Sequence, residues 1–252
     1  IANVRVNGDN ALFTYSEKFD KAKLTALEVS AEEIERAYEE TDAEFKAVLE
    51  EAAANIRAFH QNQVHSGFIY NERRGIVTGQ KVQALKRVGV YVPGGTAAYP
   101  STVLMNVIPA KIAGVKEIIM VTPPSGGAVN PVILAAAKIA GVDRVFQIGG
   151  AQAVAALAYG TESVPQVDKI VGPGNAYVAE AKKQVYGQVA IDMIAGPSEI
   201  LIVADESAKA KFLAADLLSQ AEHDKMASAV LVTESEALAQ AVTAELERQI
   251  AL

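Results

Sequence analysis

The chain has 252 residues, half of them hydrophobic and 21% charged, with a formal net charge of −7. That composition belongs to a folded globular protein and argues against a sequence-blind grip on nucleic acid, which needs excess positive charge. Six per cent aromatic residues without Trp disfavour a base-stacking platform, and the absence of Cys removes disulfides, Cys-zinc sites and a cysteine nucleophile from these residues.

A cysteine-free chain fits a reducing compartment, so the expected location is the cytoplasm. No apolar run reaches the roughly 18 residues that span a bilayer, and no charged segment followed by an apolar core opens the chain. Neither a membrane partner nor a signal peptide is expected. The chain starts at Ile1, and Ile250-Ala251-Leu252 closes an apparent helix without a cap. Both ends are expected to be cut.

Residues 1 to about 62 read as helical. Ser30 with Glu33, and Thr41 with Glu44, have the spacing of capping boxes. Phe45, Val48, Leu49, Ala52, Ile56 and Phe59 then recur at helical spacing, with a Glu-rich opposite face. This predicts a two-helix lid with a solvated outer surface. Residues 63–86, with Gly67, Gly75 and Gly79, read as a connection or hairpin.

From Arg87 the pattern changes. Strands are predicted at Val88–Val92, Glu117–Thr122, Arg144–Ile148, Lys169–Val171, Val189–Met193, Glu199–Val203 and Ala229–Val232. Helices are predicted between them at Thr102–Ala113, Pro131–Ala140, Ala151–Ala158, Ala176–Val185 and Ala208–Glu222. Strands alternating with helices make βαβ units and a parallel sheet. The strands are Val- and Ile-rich, as strands covered on both faces should be. Lys111-Ile112-Ala113-Gly114-Val115 recurs as Lys138-Ile139-Ala140-Gly141-Val142. Each copy ends a helix on a glycine suited to a left-handed C-cap.

Ligands of open parallel sheets bind beyond the carboxyl ends of the strands. Those positions here carry Tyr91-Val92-Pro93-Gly94-Gly95-Thr96, Gly149-Gly150-Ala151-Gln152, Gly172-Pro173-Gly174-Asn175 and Ala195-Gly196-Pro197-Ser198-Glu199. Each could be only a tight turn. Four in succession, two with an amide at a helix start, point to a rim for a phosphate or other anion. None is the dinucleotide fingerprint or a P-loop. Gln220 and His223, at i and i+3 near the end of a helix, share a face. They are either half of a divalent-metal site or a His placed there for the helix dipole.

Read together, these segments resemble the histidinol dehydrogenase family. The likeness runs through Gly8-Asp9, Phe19-Asp20, the Tyr91 turn, Ser101–Met105, Gly149–Ala153 and Tyr159–Pro165. It continues through Gly172–Ala176, Ile191–Met193, Ala195–Glu199 and Leu217–His223, covering nearly the whole chain in order.

The resemblance implies an α/β fold with a parallel sheet: one incomplete Rossmann-like domain over residues 75–197, and part of a second over 1–74 and 198–252, with N-terminal helices. It implies oxidation of L-histidinol through L-histidinal to L-histidine with two NAD⁺ and zinc, in a homodimer. By motif, Tyr91, Gln152 and Asn175 would contact NAD; Ser198, Gln220 and His223 would contact histidinol; Gln220 and His223 would be zinc ligands. The family's Glu-His acid/base pair and its other two zinc ligands, an Asp and a His, correspond to positions beyond Leu252. The resemblance therefore places no catalytic residue in this chain and implies that it is inactive alone. The alternative is a non-catalytic small-anion or nucleotide binding protein on the same rim. An aldehyde dehydrogenase is disfavoured by the missing cysteine nucleophile.

Overall fold

The computed structural model describes residues 1–94, 98–194, 198–222 and 226–251. The chain divides into two compact units, Ile1–Ile194 and Ala195–Leu252.

The first unit is an α/β/α sandwich around five parallel strands: β3 (Arg87–Tyr91), β4 (Glu117–Val121), β5 (Arg144–Phe146), β6 (Lys169–Val171) and β7 (Ala190–Ile191). Their order is β5-β4-β3-β6-β7. The expected parallel α/β fold is therefore present, with strand ends shifted by a residue or two. Helices α4 (Pro100–Ile112) and α5 (Pro131–Ala140) connect β3 to β5 by way of β4; α6 (Gly150–Tyr159) and α7 (Ala176–Val185) connect β5 to β7 by way of β6. The first pair packs with Val88, Val90, Ile118 and Met120 in one core. Residues of α6 and α7 pack with Ile119, Val121, Phe146 and Ile170 in the other. Alternate residues of β4 thus supply opposite faces, as the two-residue strand period demands. The side of the crossover changes between β3 and β6, so the topological switch point lies there.

The N-terminal segment is less helical than expected. Helix α1 (Ala2–Tyr15) is broken at Gly8, whose φ of 49° is positive. It runs into a π-turn, Ser16–Asp20, closed by Lys21 in the left-handed region. Residues 27–29 are extended and lie antiparallel beside β5, with Val29 N–H donating to Val145 O at 2.9 Å and Gln147 N–H to Leu27 O at 2.9 Å. They cover an otherwise open sheet edge.

Helices α2 (Ala31–Glu40) and α3 (Ala43–His60) follow. Ser30 caps α2 as expected, accepting from Glu33 N–H at 3.1 Å. The cap of α3 is Asp42, not Thr41: Asp42 Oδ1 accepts from Phe45 N–H at 2.9 Å, while the Thr41 hydroxyl donates back to Ala37 O at 2.6 Å. Ala37, Leu49 and Ala53 are buried in the core formed with α4 and α5, and Ile34, Ala52 and Ile56 pack against it. The two helices form an outer layer of the first unit. Leu49, Ala52 and Ile56 of the α3 apolar stripe join this core, while Phe45, Val48 and Phe59 of the same stripe stay exposed. Of the connection or hairpin expected over 63–86, a hairpin forms: β1 (Phe68–Tyr70) pairs antiparallel with β2 (Thr78–Gln80).

The second unit pairs β8 (Ile200–Val203) in parallel with β9 (Ala229–Val232). Helices α8 (Ala210–Ala221) and α9 (Glu236–Ile250) cover it through Ala214, Leu217, Leu238 and Val242. No helix among the described residues is long and apolar enough to cross a membrane.

Candidate dinucleotide site

The turns after β3, β4, β5 and β6 converge on a cavity of about 600 Å³ at the carboxyl end of the sheet. Its lining includes Tyr91, Pro93 and Gly94 after β3, Pro123 after β4, Gly150 and Gln152 after β5, and Asn175 after β6. The volume suits a small molecule or cofactor, and the position is the switch point. Three of the expected site residues, Tyr91, Gln152 and Asn175, are thus brought together.

Glycine is required here by close approach. A Cβ on Gly149 would collide with the Pro123 side chain. One on Gly172 would strike the Tyr91 carbonyl, and Gly172 also has a φ of +110°. Other residues could not draw the four turns this close.

Tyr91 ends β3 and is 3% exposed, and its hydroxyl accepts from Gly150 N–H at 2.9 Å. Burial pushes the phenol above its ordinary pKa; the Gly150 N–H pulls the other way and the nearby Asp20 charge adds to the rise. The phenol therefore stays protonated and keeps its own O–H to donate. Asn175 caps α7, with Oδ1 accepting from the N–H groups of Tyr177 and Val178, both at 3.1 Å. Its oxygen is committed, which leaves the Nδ2 hydrogens for a ligand. Gln152, on the first turn of α6, is 7% exposed, and its amide makes no hydrogen bond to a described residue. The N-termini of α6 and α7 both meet the cavity, where free N–H groups and the helix dipoles favour an anion.

The turn carrying Asn175 is held from below. Lys182, with its side chain 4% exposed, donates to Asp192 Oδ1 at 2.7 Å and to Gly172 O at 2.5 Å. Asp192 Oδ2 accepts from Gly172 N–H at 2.8 Å. This ion pair, with its ammonium buried and its carboxylate partly exposed, thus fixes the turn after β6 to the end of β7.

Several lining residues were not foreseen as site residues. Phe19 and Asp20 reach the cavity from the π-turn, with Tyr15 beside them. Tyr15 and Phe19 stack at 5.7 Å between centroids and 18° between planes. Asp20 Oδ2 is buried without a hydrogen-bond partner, and burial pushes its carboxyl above the ordinary value. The only sequence signal for this pair was its place in the family likeness.

The family of sequences described as histidinol dehydrogenase matches residues 1–252. The chain belongs to the histidinol dehydrogenase family. It is 58% identical over 250 residues to the histidinol dehydrogenase of Listeria innocua and 60% identical over 250 residues to that of Lactiplantibacillus plantarum. Each alignment takes in 99% of this chain and 58% of the relative. The crystal structure of histidinol dehydrogenase from Elizabethkingia anophelis superposes with a TM-score of 0.92 at 41% identity, over 99% of this chain and 58% of that one. The chain therefore spans about 58% of the length of the histidinol dehydrogenases it matches.

The remaining expected residues lie in the second unit. Ser198 is exposed and stands two residues before β8; Gln220 is partly buried in the last turn of α8. His223 lies outside the described residues, as do Gly95, Thr96 and the stretch 195–197. Among the described residues no group of three or more His, Cys, Asp or Glu is placed to hold a metal ion.

Proposed function

We propose that this chain is the dinucleotide-binding part of a histidinol dehydrogenase, an oxidoreductase of histidine biosynthesis. The reaction takes L-histidinol through L-histidinal to L-histidine; two NAD⁺ become two NADH, and water supplies the acid oxygen. The observation that carries the reading is the switch-point cavity, where Tyr91, Gln152 and Asn175 meet in a chain of this family.

The cavity fits a dinucleotide on its own features: two helix N-termini for the pyrophosphate, backbone that a Cβ would block, an aromatic wall and a buried polar atom in want of a partner. When bound, NAD⁺ supplies the hydride acceptor. The chain's own residues bind and orient it. Asn175 Nδ2 and the Tyr91 O–H donate, and the Gln152 amide can donate and accept. The Lys182–Asp192 pair keeps Asn175 at its station.

Ser198, Gln220 and His223 are proposed to contact histidinol, with Gln220 and His223 as two of the zinc ligands. In this family reading zinc orients the substrate's nitrogens and stabilises charge. The described residues do not by themselves fit a zinc ion, since Gln220 is the one described donor, so no step is routed through the metal. We assign the family's Glu-His acid/base pair, the remaining zinc ligands and the dimer's shared active site to the 42% of the relatives' length that this chain does not span, a share left by the 58% covered. We also infer that the segment from 198 starts a second domain completed there.

The test is NADH formation from L-histidinol and NAD⁺ with added zinc. The chain alone should give no turnover, and a version extended to the relatives' full length should be active. The chain should also lose zinc on dialysis, because ligand number sets affinity. Turnover by the chain alone, or one zinc per chain surviving dialysis, contradicts this account.

A further inference from the structure

Asp20 is the buried ionisable group that the reading above leaves unused. It sits in a π-turn, a rare backbone form that recurs at functional sites. The turn presents two successive side chains, Phe19 and Asp20, to one cavity, together with Tyr15. An ordinary helix separates successive side chains by about 100°. The Tyr15–Phe19 stack offers a flat surface to a base. Beside it, Asp20 Oδ2 is buried and unpartnered. A buried carboxylate oxygen without a donor is costly and is rare in native structures. A ligand carrying hydroxyl donors would satisfy it.

Charge sets which ligand. Among the described residues lining the cavity, Asp20 is the single charged side chain, and none is Lys or Arg. The basic residues flanking it in sequence are otherwise engaged: Lys18 lies over the Phe19 ring at 5.2 Å, and Lys21 Nζ donates to Lys18 O at 2.9 Å. A carboxylate that only accepts hydrogen bonds matches a free ribose diol. It repels a 2′-phosphate, which needs a cation beside it.

We propose that Asp20 is a specificity-determining residue of this site, holding the ribose hydroxyls of a dinucleotide and excluding its 2′-phosphorylated form. The inference rests on the cavity being the dinucleotide site.

NADH and NADPH are titrated into the chain and into its Asp20→Asn, Asp20→Ala and Gln152→Ala variants. The wild type should bind NADH about a hundredfold more tightly than NADPH, the scale of a like-charge contact in a partly buried site. Both Asp20 variants should narrow that ratio to about tenfold or less, chiefly by gaining NADPH affinity. Gln152→Ala should weaken NADH binding while leaving the ratio in place. If Gln152→Ala weakens NADH but the Asp20 variants keep the wild-type ratio, or the wild type binds both equally, Asp20 is not the selector and the site assignment stands. If the chain does not bind NADH, or Gln152→Ala has no effect on it, the site assignment fails and the inference falls with it.

Discussion

Asp20 carries a stability cost that proton linkage makes measurable. Its folded pKa is raised by burial. Between the ordinary carboxylate value and that raised value, the unfolded chain gives up its proton while the folded chain keeps it. Stability is therefore lost as pH rises through this window, and stays lower above it. Asp20→Asn cannot titrate. We expect it to melt at a higher temperature than the wild type at pH 7, with the gap closing as pH falls through the range between the raised value and the ordinary carboxylate value. Equal melting profiles across that range would contradict the burial argument. Neither the orphaned oxygen nor the shift was legible in the sequence, because both arise when the π-turn packs against the distant ends of β3 and α6. Asn175 was legible, since Asn before a helical run, after Gly-Pro-Gly, is a local cap signal. What could not be read was that capping uses its oxygen and leaves only its amide hydrogens free.

At the level of elements, adjacent capping residues compete, and the winner is fixed by geometry. Thr41 and Asp42 are both good caps, but the Thr41 hydroxyl turns back to Ala37 O, leaving Asp42 to cap α3. Asp42→Ala should cost about 1 kcal/mol in chemical denaturation and Thr41→Ala less. The reverse order would restore the sequence-based assignment. The strands from Arg87 onward were legible because Val- and Ile-rich runs bounded by glycine have few other uses. The segment over residues 21–30 was not: its extended form depends on pairing with β5, which is far away in sequence. The ion pair beneath the β6 turn is likewise a tertiary feature. Removing Asp192 strands a nearly buried ammonium, so Asp192→Ala should cost roughly 3 kcal/mol. It should also weaken NADH binding through Asn175. A neutral result on stability would mean that the turn holds itself.

For the whole chain, the order β5-β4-β3-β6-β7 explains why the candidate site lies where it does. Helices on opposite faces leave a crevice at the switch point, and their N-termini point into it. The alternation of strands and helices made a parallel sheet legible, and the glycine-rich turns marked its functional end. What covers α2 and α3 was not legible. An apolar stripe does not report what covers it or how far: Leu49, Ala52 and Ile56 pack in the core with α4 and α5, while Phe45, Val48 and Phe59 of the same stripe stay exposed. The second unit is two strands and two helices with Leu201 and Val203 exposed, 65% and 75%, on a parallel sheet that normally has both faces buried. That fits a chain spanning 58% of its relatives' length.

Hydrogen exchange of the chain with and without NADH reports whether the switch-point cavity is the dinucleotide site. Protection should appear in peptides spanning residues 15–20, 91–94, 149–152 and 172–177. Peptides around Arg87 and Arg144, at the opposite end of the strands, should be unchanged. Protection confined to those amino-terminal peptides, or none at all under saturating NADH, would contradict the account.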